Sequence, residues 1–413
     1  MPLTENVRRA LVRGAAVTVA TPFALAGALV VAEAIKTYRH GRKPAQFPHL
    51  PPLDAKIGAS RSTVFTYGED LYAAMLEAIR GARTTVLLES YIWKSDELGE
   101  QFKQALVDAA ARGVDVYVIY DAFANMVVPR TFYDFPAPIH VLRYPFVHAK
   151  TFTFNIRHLG RDHRKILVVD DEIGFVGGFN IGSLYATEWR DTHLRLVGPA
   201  VWDLRNAFVD FWNGKRKAHH PILPDPGSDV WDPHVRPARN VPSHMLFPIR
   251  GIYLQAIDRA RRNIFITQAY FIPDEELLDG LLAAARRGVD VRIIVPAASN
   301  HVLTDWLSRG FYTTLLAGGV TIWMFENAMV HAKTATIDGE WTTIGTANID
   351  RLSLTGNYEI NLEVYDRDVA AQMERVFATD LTNCRQLTLD EWSVRPWYSR
   401  LGERILAPLR PLL

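Results

Sequence analysis

The chain of 413 residues contains a single cysteine, Cys384, which excludes a disulfide framework and a cysteine-built metal site and leaves the redox compartment open. Excess charge is lacking too. With 46 Lys and Arg against 45 Asp and Glu, the net charge of +1 argues against binding nucleic acid by bulk electrostatics. Lysine is scarce, 10 residues against 36 arginines, a bias that suits paired hydrogen bonds to phosphate but that genomic base composition explains equally well. Neither a P-loop nor a zinc-binding helix motif occurs. What remains is a folded composition, 48% hydrophobic and long enough for two domains.

Clean apolar runs are equally rare. Residues 14–32 go 19 positions without a charge, but Pro22 and many alanines weaken them as a span. Arg8, Arg9 and Arg13 precede the run, and Lys36, Arg39, Arg42 and Lys43 follow it, so positive charge fixes no orientation. A signal peptide, a membrane anchor and a half-buried amphipathic segment all fit, and membrane association is favoured over removal. Residues 1–52 are therefore expected to be a membrane-associating segment.

From Thr63 onward helical and strand patterns alternate, which predicts an α/β fold. The pattern stops between residues 213 and 248, where seven prolines mark a linker, and His219-His220 within it is expected to be a solvated pair. Then the first half is played again: ARRGVDVRIIV at 285–295 restates AARGVDVYVIY at 110–120. A duplicated domain, 53–212 and 249–385, is expected, related by a pseudo-twofold axis with a site at the interface, and followed by a tail, 386–413.

The strongest pattern is His163-x-Lys165-x4-Asp170 with Gly177-Gly178-x-Asn180, echoed by His331-x-Lys333-x4-Asp338 with Gly345-Thr346-x-Asn348. Each matched pair is 168 residues apart, whereas chance expects only about 0.02 H-x-K-x4-D matches in this composition. Asp191 and Glu359 keep the same spacing, each 28 residues after its histidine. The surrounding ILVVD and TATID read as strands, so each His-Lys pair projects from one face. Two imidazoles facing each other divide displacement at phosphorus between attack and proton transfer. Two ammonium groups and two amides, from Asn180 and Asn348, neutralise phosphoryl oxygens. Gly178 and its counterpart Thr346 are placed to bring backbone N–H groups to the same anion. A carboxylate behind each imidazole fixes its tautomer, and Asp191 and Glu359 are the candidates.

These motifs, with the flanks HRKILVVD, GGFNIG, WRDTH, YFIP and NYEIN, resemble the phospholipase D superfamily, most closely its bacterial cardiolipin synthases, over about residues 60–385. The resemblance implies two phospholipase D-like domains, each a mixed β-sheet flanked by helices, and a ping-pong reaction through a phosphohistidine with no metal or cofactor. His163 would attack and His331 act as acid, with Lys165, Lys333, Asn180 and Asn348 on phosphate. Asp170 and Asp338 belong to the catalytic motif, although a mainly structural role is implied for them. The expected partners are phosphatidylglycerol and a bacterial inner-membrane surface, cytoplasmic face, and not nucleic acid. Hydrolysis of phospholipid to phosphatidic acid, or phosphatidylethanolamine as donor, is the alternative.

Three further features stand apart from the motif. His148-x-Lys150 is a near miss without Asp or Gly-x-x-Asn, and residues 148–162 are read as an insertion at the mouth of the site. Glu89 and Gln268 close apparently equivalent strands and either line the site or merely pack. From Trp397 the tail forms a basic amphipathic helix with Trp397, Tyr398, Leu401 and Ile405 on one side, suited either to a lipid interface or to the protein's own core.

Overall fold

The computed structural model describes residues 5–40, 44–146, 160–225, 227 and 233–412. His148, Lys150 and most of the segment read as an insertion lie outside the described residues.

Two eight-stranded mixed sheets form the frame. The first uses β1 (Leu53–Ile57), β2 (Ser60–Phe65), β3 (Thr85–Ser90), β4 (Asp115–Asp121), β5 (Ile139–Tyr144), β6 (Ile166–Val169) and β7 (Ile173–Gly177). After the short β8 (Trp189–Arg190) comes β9 (His193–Val197), which completes the order β1-β2-β9-β7-β6-β3-β4-β5. The second uses β10 (Val235–Asn240), β11 (Asn263–Gln268), β12 (Asp290–Pro296) and β13 (Thr321–Phe325). After the short β14 (Met329–Val330) it adds β15 (Lys333–Ile337), β16 (Trp341–Gly345), β17 (Glu359–Tyr365) and β18 (Cys384–Leu387). Its order is β10-β17-β16-β15-β11-β12-β13-β18. Strands two to eight of the first order match strands one to seven of the second, so β1 and β18 are the edge additions. β10 lies inside the proline-rich stretch, where Pro237 occupies an edge strand that has no second neighbour to serve.

The repeated R-G-V-D-V text has a local cause. Each copy ends a helix, Glu97–Ala111 or Glu275–Arg286, and turns into a strand through a left-handed glycine, Gly113 (φ 90°) or Gly288 (φ 88°). The arginine before each glycine donates to the last carbonyls of the preceding helix: Arg112 to Ile79 and Arg80, Arg287 to Ile257 and Asp258. A sequence repeat visible at first reading is thus a repeated helix-capping device.

The largest apolar cluster crosses the halves, bringing Ile166, Phe208 and Trp212 together with Ile344, Ile360 and Leu362. His220, expected in solvent, is buried against Trp212 at 5.2 Å, and its Nδ1 accepts from the Lys217 N–H. At the periphery the N-terminal helix Glu5–His40 packs Leu25, Ala26 and Leu29 against Leu307 of the helix Val302–Ala317 and Leu406 of the helix Trp397–Leu406. Among the described residues no helix is long and apolar enough to cross a membrane.

Candidate functional site

The site forms where two short cross-half ladders meet. In one, β8 pairs in parallel with β14, Arg190 opposite Val330, and the His331 N–H donates to the Arg190 carbonyl at 2.6 Å. In the other, Asp162 bridges Tyr358, and the His163 N–H donates to the Tyr358 carbonyl at 3.0 Å. Adding 168 to Asp162 gives Val330, and subtracting it from Tyr358 gives Arg190. The two ladders are therefore one contact seen twice, about the pseudo-twofold.

The ladders carry each histidine to the other half's carboxylate. His163 Nδ1 lies 2.9 and 3.0 Å from the two oxygens of Glu359, and His331 Nδ1 lies 2.6 Å from Asp191 Oδ2. Sequence spacing had placed each carboxylate 28 residues after a histidine of its own half, and the structure gives it to the opposite one. Lys165 Nζ donates to the His163 carbonyl at 2.6 Å, and Lys333 Nζ donates to the His331 carbonyl and lies 2.9 Å from its Nδ1. Asn180 and Asn348 are buried. Asn180 Oδ1 accepts from the Ile92 N–H, whereas the buried Asn348 Oδ1 has no hydrogen-bond partner among the described residues.

Burial dominates the electrostatics. It pushes Lys165 down to about 7 and Lys333 to about 8, with the two ammonium groups repelling each other at Lys165. His331 falls to about 3 through burial and then the Lys333 charge, and His163 falls well below its ordinary value through burial and then Lys165 and Lys333. The carboxylates differ. Burial would raise Asp191, but Lys333 and His331 outweigh it and hold it below the ordinary range. Burial wins at Glu359, pushing it up to about 8 against Lys165 and a hydrogen bond from Thr346 Oγ1 at 2.5 Å. An ionised Asp191 accepts the hydrogen bond that Nδ1–H of a neutral His331 donates, which leaves Nε2 with its lone pair. The frame is symmetric, and its charges are not.

One expectation is corrected. The N–H groups of Gly178 and Thr346 do not point at an anion, because they donate to the carbonyls of Thr192 and Ile360, each at 2.9 Å. Gly178 is small for another reason: a Cβ there would sit 2.1 Å from Asp191 Oδ1. The motif aspartates sit at the far ends of β6 and β15, in left-handed conformation (φ 54° and 56°). Asp170 accepts from the backbone N–H groups of Arg83, Thr84 and Thr85, and Asp338 from those of Arg261, Arg262 and Asn263. Both organise the start of a central strand rather than the site.

Glu89 and Gln268 are not equivalent. Glu89 pairs with Ile166 and Thr267 with Thr334, so Gln268 is one residue further along and on the other face. Glu89 is buried against Arg164, and Gln268 bonds Tyr253 and the Ile349 N–H. The aromatic walls escaped sequence reasoning: Tyr91 lies 4.6 Å from the His163 ring, and Trp189 and Tyr270 lie 4.9 and 6.1 Å from that of His331. Trp189 and Tyr270 open the segments WRDTH and YFIP, which gave the only hint of them, and Tyr91 follows the strand that ends at Ser90.

Two mixed α/β lobes on a pseudo-twofold, each carrying a His-Lys-Asn set to the shared cleft, define the phospholipase D-like class. The structure aligns with the phosphatidylserine synthase of Haemophilus influenzae Rd KW20 at a TM-score of 0.67 and 16% identity, over 88% of this chain and 95% of that one, a likeness of fold. Residues 75–210 and 253–381 match the family described as "Cardiolipin synthase, PLD-like domain". The major cardiolipin synthase of Bacillus subtilis (strain 168) is 35% identical over 366 residues, 85% of this chain and 75% of that protein. Cardiolipin synthase 1 of Staphylococcus aureus (strain COL) is 32% identical over 361 residues, 84% of this chain and 73% of that protein. The chain belongs to the cardiolipin synthase family of phospholipase D-like proteins.

Proposed function

We propose that the protein is a phosphatidyl transferase that makes cardiolipin from two molecules of phosphatidylglycerol. One observation carries this: in a member of the cardiolipin synthase family, two imidazoles, each backed by a carboxylate of the other half, share one cleft with two buried lysines. His163, whose side chain is the more exposed at 12% against 6%, attacks phosphorus through Nε2. The anionic phosphodiester brings His331 to its Nε2-protonated form, paired with Asp191; as the bond to the headgroup glycerol breaks, that proton passes to the leaving oxygen and His331 is left neutral. Neutral His331 then takes the proton from a hydroxyl of the second phosphatidylglycerol. That oxygen attacks phosphorus and the P–N bond breaks, giving cardiolipin and one glycerol. Lys165, Lys333, Asn180 and Asn348 hold the phosphoryl oxygens, and no step calls for a metal.

Transfer in place of hydrolysis requires a lipid alcohol to outcompete water, so the cleft is placed at a membrane surface. The exposure of Trp397 (68%) and Tyr398 (62%) on the C-terminal helix, and of Phe23, Val31 and Ile35 on the N-terminal one, supports that placement. On the C-terminal helix it is Glu403 that turns inward, onto Arg395, and the aromatic face that turns out. The site is assigned to the bacterial cell membrane on its cytoplasmic face. Incubation with labelled phosphatidylglycerol vesicles is expected to yield cardiolipin with stoichiometric glycerol. Phosphatidic acid alone would identify a hydrolase instead.

A further inference from the structure

β4 and β12 are equivalent strands, and the residue after each makes the same bond: Ala122 and Ala297 donate to the carbonyls of Tyr144 and Phe325, each at 2.9 Å. In the second half the chain then runs through Asn300 and His301 into the helix Val302–Ala317. This corner touches the cleft through one side chain. The Tyr270 ring lies 6.1 Å from His331 and 5.6 Å from His301, and its hydroxyl donates to Asn300 Oδ1 at 2.7 Å. From Asn300 and His301 a groove of about 680 Å³ leads outward between that helix and the N-terminal helix. Val30, Ala34 and Tyr38 line one wall, and Val302, Leu303 and Thr304 the other. Glu33 also faces it, its carboxylate met by Lys36 at 3.4 Å.

We propose that this groove takes one acyl chain of the phospholipid whose phosphate lies at His331. The inference rests on the phosphatidyl-transfer reading above and adds where a substrate tail goes. Its walls are mainly apolar, and its inner end is polar, at Asn300 and His301, which meet the Tyr270 side chain that stands beside His331. At its outer end Tyr38 is 91% exposed and is followed by the exposed Arg39, a cation matched to anionic headgroups. A chain lying there removes apolar surface from water on both partners, which stabilises the complex by about 0.8 kcal/mol per buried methylene. The N-terminal helix, whose inner face packs on the protein, thus uses its outer shoulder as one side of a lipid slot.

Ala34→Trp tests this, because Ala34 is exposed and a larger side chain there fills the groove without entering the core. With dioleoyl-phosphatidylglycerol vesicles kcat/KM is expected to fall about tenfold. Dibutyroyl-phosphatidylglycerol in free solution should be turned over at the wild-type rate, and vesicle binding by co-sedimentation should not change. Equal losses on both substrates, no loss on the long one, or a loss that follows weaker vesicle binding would each overturn the groove. As a second readout, phosphatidylglycerol with a diazirine on its acyl chain is expected to label peptides covering residues 27–38 or 300–306 of the wild-type protein. Labelling confined to other peptides contradicts the proposal. A wild-type protein that makes no cardiolipin from either substrate sinks the transfer reading, and the photolabel still decides the groove.

Discussion

At the scale of single residues, the decisive contacts are the two crossed pairs, His163 with Glu359 and His331 with Asp191. Gly178 protects the second pair by having no side chain. In Gly178→Ala the new methyl displaces the Asp191 carboxylate from Nδ1, and a misplacement of about 1 Å is expected to cost about 100-fold in kcat/KM with the fold intact. Steady-state kinetics beside a circular dichroism spectrum checks this, and wild-type activity would contradict the role given to Asp191. Burial at the lysines has its own consequence. With Lys165 near 7 and Lys333 near 8, both are ammonium at low pH and lose charge as pH rises. A bound phosphoryl-like anion favours the charged forms and raises both values, so its affinity falls as pH climbs through and above that range. Tungstate titrated calorimetrically at pH 6 and at pH 9 should bind more tightly at pH 6, and equal affinities would contradict the assignment.

Among these residues the histidines, lysines and asparagines were legible because their types and spacing are the chemistry itself. The partner of each histidine was not, because a spacing of 28 residues within one half says nothing about which half a side chain faces. Nor was the use of the Gly178 N–H, which depends on β7 pairing with β9.

At the scale of elements, the crossing depends on β8 and β14, two residues each, too short for any periodicity to announce. What fixes β8 is Arg190, fully buried, whose Nε and Nη2 donate to Asp380 at 2.8 Å each while its Nη1 donates to the Asp191 carbonyl and Thr192 Oγ1. Asp380 belongs to the second half's helix Arg367–Leu381, so a buried ion pair ties the residue before Asp191 to the other lobe. Removing one partner leaves the other charge buried and unpaired, so Asp380→Ala is expected to destabilise the protein by about 3–5 kcal/mol. Chemical denaturation measures it, and a change within about 0.5 kcal/mol would show that the pair does not hold the ladder. The central strands were readable for the opposite reason. Segments such as DVYVIYD and DVRIIVP are β-rich, lie between neighbours on both sides and follow helices with marked ends.

At the scale of the whole molecule, the 168-residue register gave away the duplication, and the two sheets follow it strand for strand apart from β1 and β18. The same symmetry made the halves look alike where they differ. Asp191 stays ionised and Glu359 leans toward its acid form, so the lobes present unequal histidines to one phosphate. The greater exposure of His163, 12% against 6%, goes with that inequality in the central assignment, of the phosphatidyl group to His163 and of proton transfer to His331. Rapid quenching of His331→Ala with labelled phosphatidylglycerol, followed by peptide mass spectrometry, tests it directly. A phosphatidyl adduct is expected to accumulate on His163. No adduct there, together with one on His331 in the His163→Ala protein, would reverse the assignment and contradict the account.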